Sequence, residues 1–234
     1  MSAFSLRAAA LLCMLADHTG LALFPAANAF RCVGRLAFPL YCFLLAQGYL
    51  HTRSVRAYAR RLLLAALLSE IPFDLLIFGR LACTVEQNVL FSLLLGLMAL
   101  YAADALRARP PAAWLAVGLL CLAAMATKVS FGWLGIALCL CARYAQGSRL
   151  RLALGTGALL VLYTLSQLLS GVERGWALAS LWALAAIPLM LLYNGKRGVR
   201  APALTFLFYA AYPLHLAALA VIRAMRIVPP YYLN

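Results

Sequence analysis

Apolar runs of about twenty residues, interrupted by short clusters of Arg, Gly and Pro, repeat along the whole chain. They cover residues 6–24, 35–51, 60–78, 88–106, 112–127, 129–145, 149–170, 176–193 and 204–223. The fifth and sixth are joined tightly around Lys128. No segment alternates apolar and polar positions with period two, so membrane strands are excluded. The pattern predicts an all-α, polytopic integral membrane bundle of about nine transmembrane helices, forming a single domain over residues 1–234.

Composition supports this reading. The chain is 66% hydrophobic, against roughly 45–50% in soluble domains. Any chemistry must therefore take place among the helices. The seven Cys are scattered through apolar runs (Cys13, Cys42, Cys121, Cys139 and Cys141 among them) without the spacing of a zinc site or a disulfide framework. No metal is expected. The N-terminal stretch has the outline of a secretory signal, with Ala27-Asn28-Ala29 as a cleavage-like site, but Asp17-His18 inside its apolar core argues against one.

Twenty Lys and Arg face six acidic residues, a net charge of +14. No hydrophilic face outside the loops carries a basic patch, so nucleic acid is not an expected partner. The charge reads as membrane orientation. A cytoplasmic N-terminus places thirteen positive residues inside: Arg7, the 53–61 and 107–109 groups, Arg143, Arg149, Arg151, Lys196, Arg197 and Arg200. Seven fall outside: Arg31, Arg35, Arg80, Lys128, Arg174, Arg223 and Arg226. With an odd number of spans, the bundle is expected N-in and C-out, with the lipid bilayer as its surroundings.

Ionisable groups inside spans are costly and by default suggest function. At 1.5 Å per residue, His18 lies about 16 Å along the first helix, Glu70 about 15 Å and Asp74 about 21 Å along the third, and His215 about 16 Å along the ninth. Asp17 adjoins His18, while Arg35 and Asn88 reach the same level from the outer ends of the second and fourth helices. These residues are expected to converge in the outer half of the membrane. Taken singly, each has a structural explanation. His215 suits a helix-to-helix hydrogen bond, Arg35 and Asp74 suit snorkelling to the interface, and Glu70 suits the backbone freed by Pro72. The shared depth favours a site.

Longer blocks carry a resemblance. Asp17-His18, Gly34-Arg35-Leu36-Ala37-Phe38-Pro39, Gly48-Tyr49-Leu50-His51-Thr52-Arg53 and Ser69-Glu70-Ile71-Pro72-Phe73-Asp74 occur in that order. Asn88-Val89-Leu90-Phe91, Asn194-Gly195-Lys196-Arg197-Gly198 and Phe208-Tyr209-Ala210-Ala211-Tyr212-Pro213-Leu214-His215 follow. Together they resemble the TraX family of membrane proteins over nearly the whole chain. One departure is Ser130-Phe131-Gly132, where many members carry Asp-Tyr-Gly. The family's named member acetylates the N-terminus of a conjugative pilin, and the family is similar to transmembrane acyltransferases that use acyl-coenzyme A. Those enzymes carry a basic residue and a His eleven positions apart in an early helix, the spacing of Arg7 and His18.

The resemblance implies an acetyl-CoA-dependent acetyltransferase acting on an amine or hydroxyl of a peptide, pilin or glycan. His18 is then the expected base, oriented by Asp17 or Glu70, with His215 as an alternative base or an oxyanion donor. Arg7, Arg53, Arg60, Arg61, Lys196 and Arg197 are expected to hold the phosphates of coenzyme A at the cytoplasmic mouth. Arg35, Asp74, Asn88 and Tyr209 are expected to bind substrate. Two other classes fit the same buried groups: a proton-coupled small-molecule transporter, and a membrane binding protein without chemistry. Against the transporter, the two halves show no internal repeat.

Overall fold

The computed structural model describes residues 1–25, 27–199 and 202–225, and of residues 202–205 only the backbone. Arg200 and Arg226 lie outside the described residues. Each of the nine apolar runs is helical. They form α1 (Ala3–Leu23), α2 (Asn28–Gly34) leading into α3 (Ala37–His51), α4 (Val55–Phe78), α5 (Val89–Ala105), α6 (Pro110–Ala126), α7 (Trp133–Tyr144) and α8 (Arg149–Leu169). A broken segment follows, made of α9 (Arg174–Ala179), a 3₁₀ stretch (Ser180–Ala185) and α10 (Ala186–Leu191), and then α11 (Pro202–Met225).

Among the described residues, five stretches are long and apolar enough to cross a membrane: Ala3–Leu23, Asn28–His51, Arg149–Leu169, Arg174–Leu191 and Phe206–Met225. Val89–Ala105, Pro110–Ala126 and Trp133–Tyr144 are apolar but shorter. α4 has 24 residues, about 36 Å of helix, and combines that length with several charged side chains. The protein is a multi-pass helical membrane protein.

Local chemistry sets the helix ends. Ser2, Ser54 and Ser148 each accept a backbone N–H from three residues on, capping α1, α4 and α8. Gly79 closes α4 in the left-handed conformation at φ 68°. The eighth segment tightens to 3₁₀ just before Pro188, whose missing N–H and bulky ring disturb the preceding turn. α7 begins at Trp133 rather than 129, because Lys128 (φ 52°) and Phe131 (φ 64°) adopt left-handed backbone that no helix continues through.

α3 runs through the middle of the bundle, packed against α1, α5, α7 and α10. Leu6, Leu40, Leu97, Leu100, Leu134 and Ile136 fill the core around it. Large apolar side chains instead face outward on α4 (Leu64, Leu67, Leu68, Ile71), α6 (Trp114, Leu115, Leu119, Leu122) and α8 (Leu150, Leu154, Leu162, Leu165). In water such a belt would drive aggregation; in hydrocarbon it is the ordinary exterior.

Polar contacts fasten the frame at one end. Glu70 on α4 accepts from the side-chain amide of Asn88, which also donates to the Ala66 carbonyl (2.9 Å) while its Oδ1 caps Leu90 (3.0 Å). Asp74, 2% exposed, accepts the Cys83 N–H at 2.7 Å and draws in the following loop. Arg223 donates to the Leu76 carbonyl at 2.7 Å, tying α11 to α4. Two loops meet at the same end, where Gln87 and Val129 form a parallel bridge. Glu70 is thus committed to Asn88, not to the backbone around Pro72.

Asn88→Ala removes a cap and a partner of a half-buried carboxylate together. It should cost about 2–4 kcal/mol of stability, read as a lower thermal midpoint of the detergent-solubilised protein. In a Glu70→Ala background the same change should cost clearly less, because the shared hydrogen bond is already gone.

Candidate functional site

Two cavities lie end to end between α1, α3, α4, α5 and α11. The larger, about 580 Å³, is termed the inner cavity after the expected cytoplasmic side of Arg7, Arg61 and Arg197, which line it with Tyr58, His51, Tyr193 and Tyr209. The outer one, about 150 Å³, is lined by Asp17, His18, Arg31, Arg35, Glu86 and Ser130, with Phe38, Phe73 and Phe131 as apolar walls. Tyr41 and Tyr212 line both. α1 brings Arg7 to one cavity and His18 to the other, eleven residues apart and so about 16 Å along the axis.

His18 and His215 meet across the interface of α1 and α11. His18 Nδ1 lies 2.7 Å from His215 Nε2, with the rings stacked at 4.9 Å between centroids. His215 Nδ1 lies 2.7 Å from the Ala211 carbonyl one turn back on its own helix. A carbonyl only accepts, so His215 carries its hydrogen on Nδ1, and with both rings neutral its Nε2 is an acceptor. His18 Nδ1–H therefore donates to His215, and His18 Nε2 keeps its lone pair. The chain of two bonds fixes one tautomer and leaves one basic nitrogen, on a ring that lines the outer cavity.

The expected carboxylate partner of His18 is replaced by His215. Adjacent residues on a helix point about 100° apart, and Asp17 turns toward α2, where Arg31 Nη1 lies 3.0 Å from its Oδ1. Close packing makes this possible: Gly34 presents no side chain to Asp17, and a Cβ there would overlap it. The Arg31 guanidinium also lies 4.9 Å over the Trp176 ring, linking α2 to α9. Arg35 lines the same cavity; its side chain forms no hydrogen bond or ion pair to the described residues, and its Nε is buried.

Ser130, at the position of the family departure, takes part through Glu86. Its hydroxyl is 2.7 Å from Glu86 Oε1 and 3.0 Å from the Gln87 carbonyl, its single hydrogen shared between the two acceptors, while Ser92 donates to the Ser130 carbonyl. Burial pushes the Glu86 carboxyl above its ordinary range, against the opposing pull of the Ser130 hydrogen bond and of Arg35 and Arg31. A carboxyl group thus stands beside position 130, on the neighbouring loop.

The structure brings together His18, His215, Asp17 and Arg35 at the outer cavity, and Arg7, Arg61, Arg197 and Tyr209 at the inner one. Tyr209 therefore sits with the basic mouth, one turn below Tyr212. Glu70, Asp74 and Asn88 line neither cavity and serve the frame. Arg53, Arg60 and Lys196 are outside the lining, while Arg7, Arg61 and Arg197, equally exposed, border it; Arg60 points about 100° away from Arg61. Arg31, Glu86, Ser130, Tyr41 and Tyr212 are additional lining residues. Only the family blocks hinted at Tyr212, and nothing in the hydropathy marks Glu86.

A multi-pass helical bundle with a basic cavity at one end and a histidine-lined cavity at the other is thus defined. The family model described as TraX protein matches residues 2–223, and the chain belongs to this family. It is 29% identical over 231 residues to a probable fimbrial assembly protein FimC, serogroup H1, of Dichelobacter nodosus, an alignment covering 93% of this chain and 94% of that protein. No solved structure matches the chain.

Gly34→Ala should force α1 and α2 apart at Asp17 and lower stability by about 1–3 kcal/mol. Gly118→Ala, whose added Cβ meets nothing within 4 Å, should instead be neutral or stabilise by up to about 1 kcal/mol. Thermal midpoints of the two variants in one detergent make the comparison.

Proposed function

We propose that the protein is an acetyltransferase of the bacterial inner membrane that moves an acetyl group from cytoplasmic acetyl-CoA to an amine or hydroxyl at the outer face. The observation that carries this reading is the pair of cavities meeting at Tyr41 and Tyr212, one lined by arginines and the other by His18. In this reading all nine helical segments cross the bilayer, with the N-terminus inside and the C-terminus outside, as the distribution of Arg and Lys favours. Acetyl-CoA enters from the inside, its phosphates held by Arg7, Arg61 and Arg197 through charge-assisted hydrogen bonds. Its thioester extends toward His18.

The acceptor approaches from the outer cavity, where Arg35 and Glu86 offer charged contacts. His18 Nε2 takes the proton from the acceptor nitrogen or oxygen as that atom attacks the thioester carbonyl carbon. The tetrahedral intermediate collapses, the carbon–sulfur bond breaks, and the coenzyme A thiolate receives the proton from His18. His215 accepts from His18 Nδ1–H throughout and keeps the ring in register. The name of the Dichelobacter relative, a probable fimbrial assembly protein, favours a pilin among the peptide and glycan acceptors.

Purified protein with radiolabelled acetyl-CoA tests the reading directly, because enzyme-dependent thioester cleavage separates acyl transfer from transport and from binding alone. His18→Ala should lower the rate by about 10²- to 10⁴-fold while acetyl-CoA still binds; more than half of wild-type turnover would remove His18 as the base. His215→Ala should lower it too, because the His18 tautomer is no longer fixed.

Arg61→Gln and Arg197→Gln should each raise KM for acetyl-CoA, by about 1.5–3 kcal/mol of lost binding, with kcat largely restored at saturating donor. Arg60→Gln and Lys196→Gln should leave KM unchanged. Equal effects from all four would mean that net charge, not the cavity, attracts the donor.

A further inference from the structure

The two cavities differ about fourfold in volume, roughly 580 against 150 Å³, and the walls they share are Tyr41 of α3 and Tyr212 of α11. Tyr212 is 4% exposed and meets both histidines edge-on, at 6.1 Å and 62° from His18 and 5.5 Å and 63° from His215. The partition is thereby fixed relative to the basic nitrogen. Tyr41 is half-buried and packed against both apolar clusters of the described residues. Buried side chains held from two sides do not swing aside without cost.

We infer that Tyr41 and Tyr212 set the length of the acyl group that reaches His18, with Tyr41 as the residue that measures it. The inference rests on the acyl-transfer reading above and concerns the same site. For attack, the thioester carbonyl must stand beside His18, at the level of Tyr212. Every carbon beyond the carbonyl then occupies the outer cavity, which the acceptor nucleophile must share. A methyl group leaves room for the acceptor. A longer chain either fills the small cavity or turns back toward the inner one, and the Tyr41 ring blocks that return. The large inner cavity holds the bulk of coenzyme A without selecting among its thioesters, so discrimination falls on the partition.

The test uses the full chain in detergent or nanodiscs, with acetyl-CoA, butyryl-CoA and hexanoyl-CoA as probes and thiol release as the readout. Wild type should favour acetyl-CoA, and Tyr41→Ala should raise the hexanoyl-to-acetyl ratio of kcat/KM by about tenfold or more, the scale of discrimination one methylene commands in an apolar pocket. Tyr41→Phe, which keeps the ring and loses only the hydroxyl, should keep the wild-type ratio. Tyr41→Leu replaces Tyr41→Ala if the latter does not yield folded protein. In a His18→Ala background, hexanoyl-CoA should bind about as tightly as acetyl-CoA, because the inner cavity holds both.

Ratios within twofold of wild type in the folded small-residue variant would overturn the role of Tyr41 while leaving acetyl transfer in place. Wild-type protein that cleaves acetyl-CoA and hexanoyl-CoA equally would overturn the partition itself. Release of no thiol from any of the three would bring down the acyl-transfer reading and this inference with it.

Discussion

Hydrocarbon offers no water to a polar side chain, so each ionisable or amide group carried into the bundle must find its partner within the protein. That constraint organises one end of the molecule. Glu70 holds Asn88, Asp17 holds Arg31, Asp74 holds the Cys83 N–H, and Arg223 holds the Leu76 carbonyl. Three of these contacts join separate helices, α1 to α2, α4 to the start of α5, and α11 to α4, beside the outer cavity. The histidine pair joins the two sets, linking α1 to α11. A hydrogen bond between α1 and α11 at 2.7 Å persists only if the helices are held by something stronger than the rings themselves.

The arginines at the other end answer to two demands at once. Positive charge on one side orients a polytopic chain, and any exposed Arg or Lys serves that purpose. Lining a cavity requires more, namely a side chain that borders it, as those of Arg7 and Arg61 do from their helices and that of Arg197 from its loop. Arg61 and Arg60 are neighbours with equal topogenic weight, yet only Arg61 borders the inner cavity. Composition cannot separate the two demands, because it counts charges without angles.

The same loss of angle explains which parts of the molecule were legible in the sequence. Hydropathy located all nine helical runs, since apolar length survives any rotation about the axis, and rise per residue placed His18 and His215 at a common depth. Which neighbour each side chain meets depends on helix packing, which no single run encodes. Asp17 was expected to serve His18 and instead meets Arg31, a residue in a stretch read as loop that is in fact α2. Glu70 and Asp74 turn toward Asn88 and Cys83 instead. Glu86 escaped notice because it lies between apolar runs, where depth arguments do not apply, and the left-handed Lys128 and Phe131 beside Ser130 have no periodic signature.

A neutral histidine in the place of a carboxylate changes the electrostatics of the proposed reaction. A carboxylate beside His18 would stabilise the imidazolium before any acceptor arrived, favouring a charged resting state that no longer takes a proton. His215 fixes the tautomer through the Ala211 carbonyl without adding negative charge. Positive charge on His18 then arises only as the acceptor loses its proton and the oxyanion forms a few ångströms away, and it disappears when the thiolate leaves protonated. In a low-dielectric site a pair of opposite charges created together costs far less than either alone. The two helices that carry the pair thus supply orientation, while the substrate supplies the counter-charge at the moment it is needed.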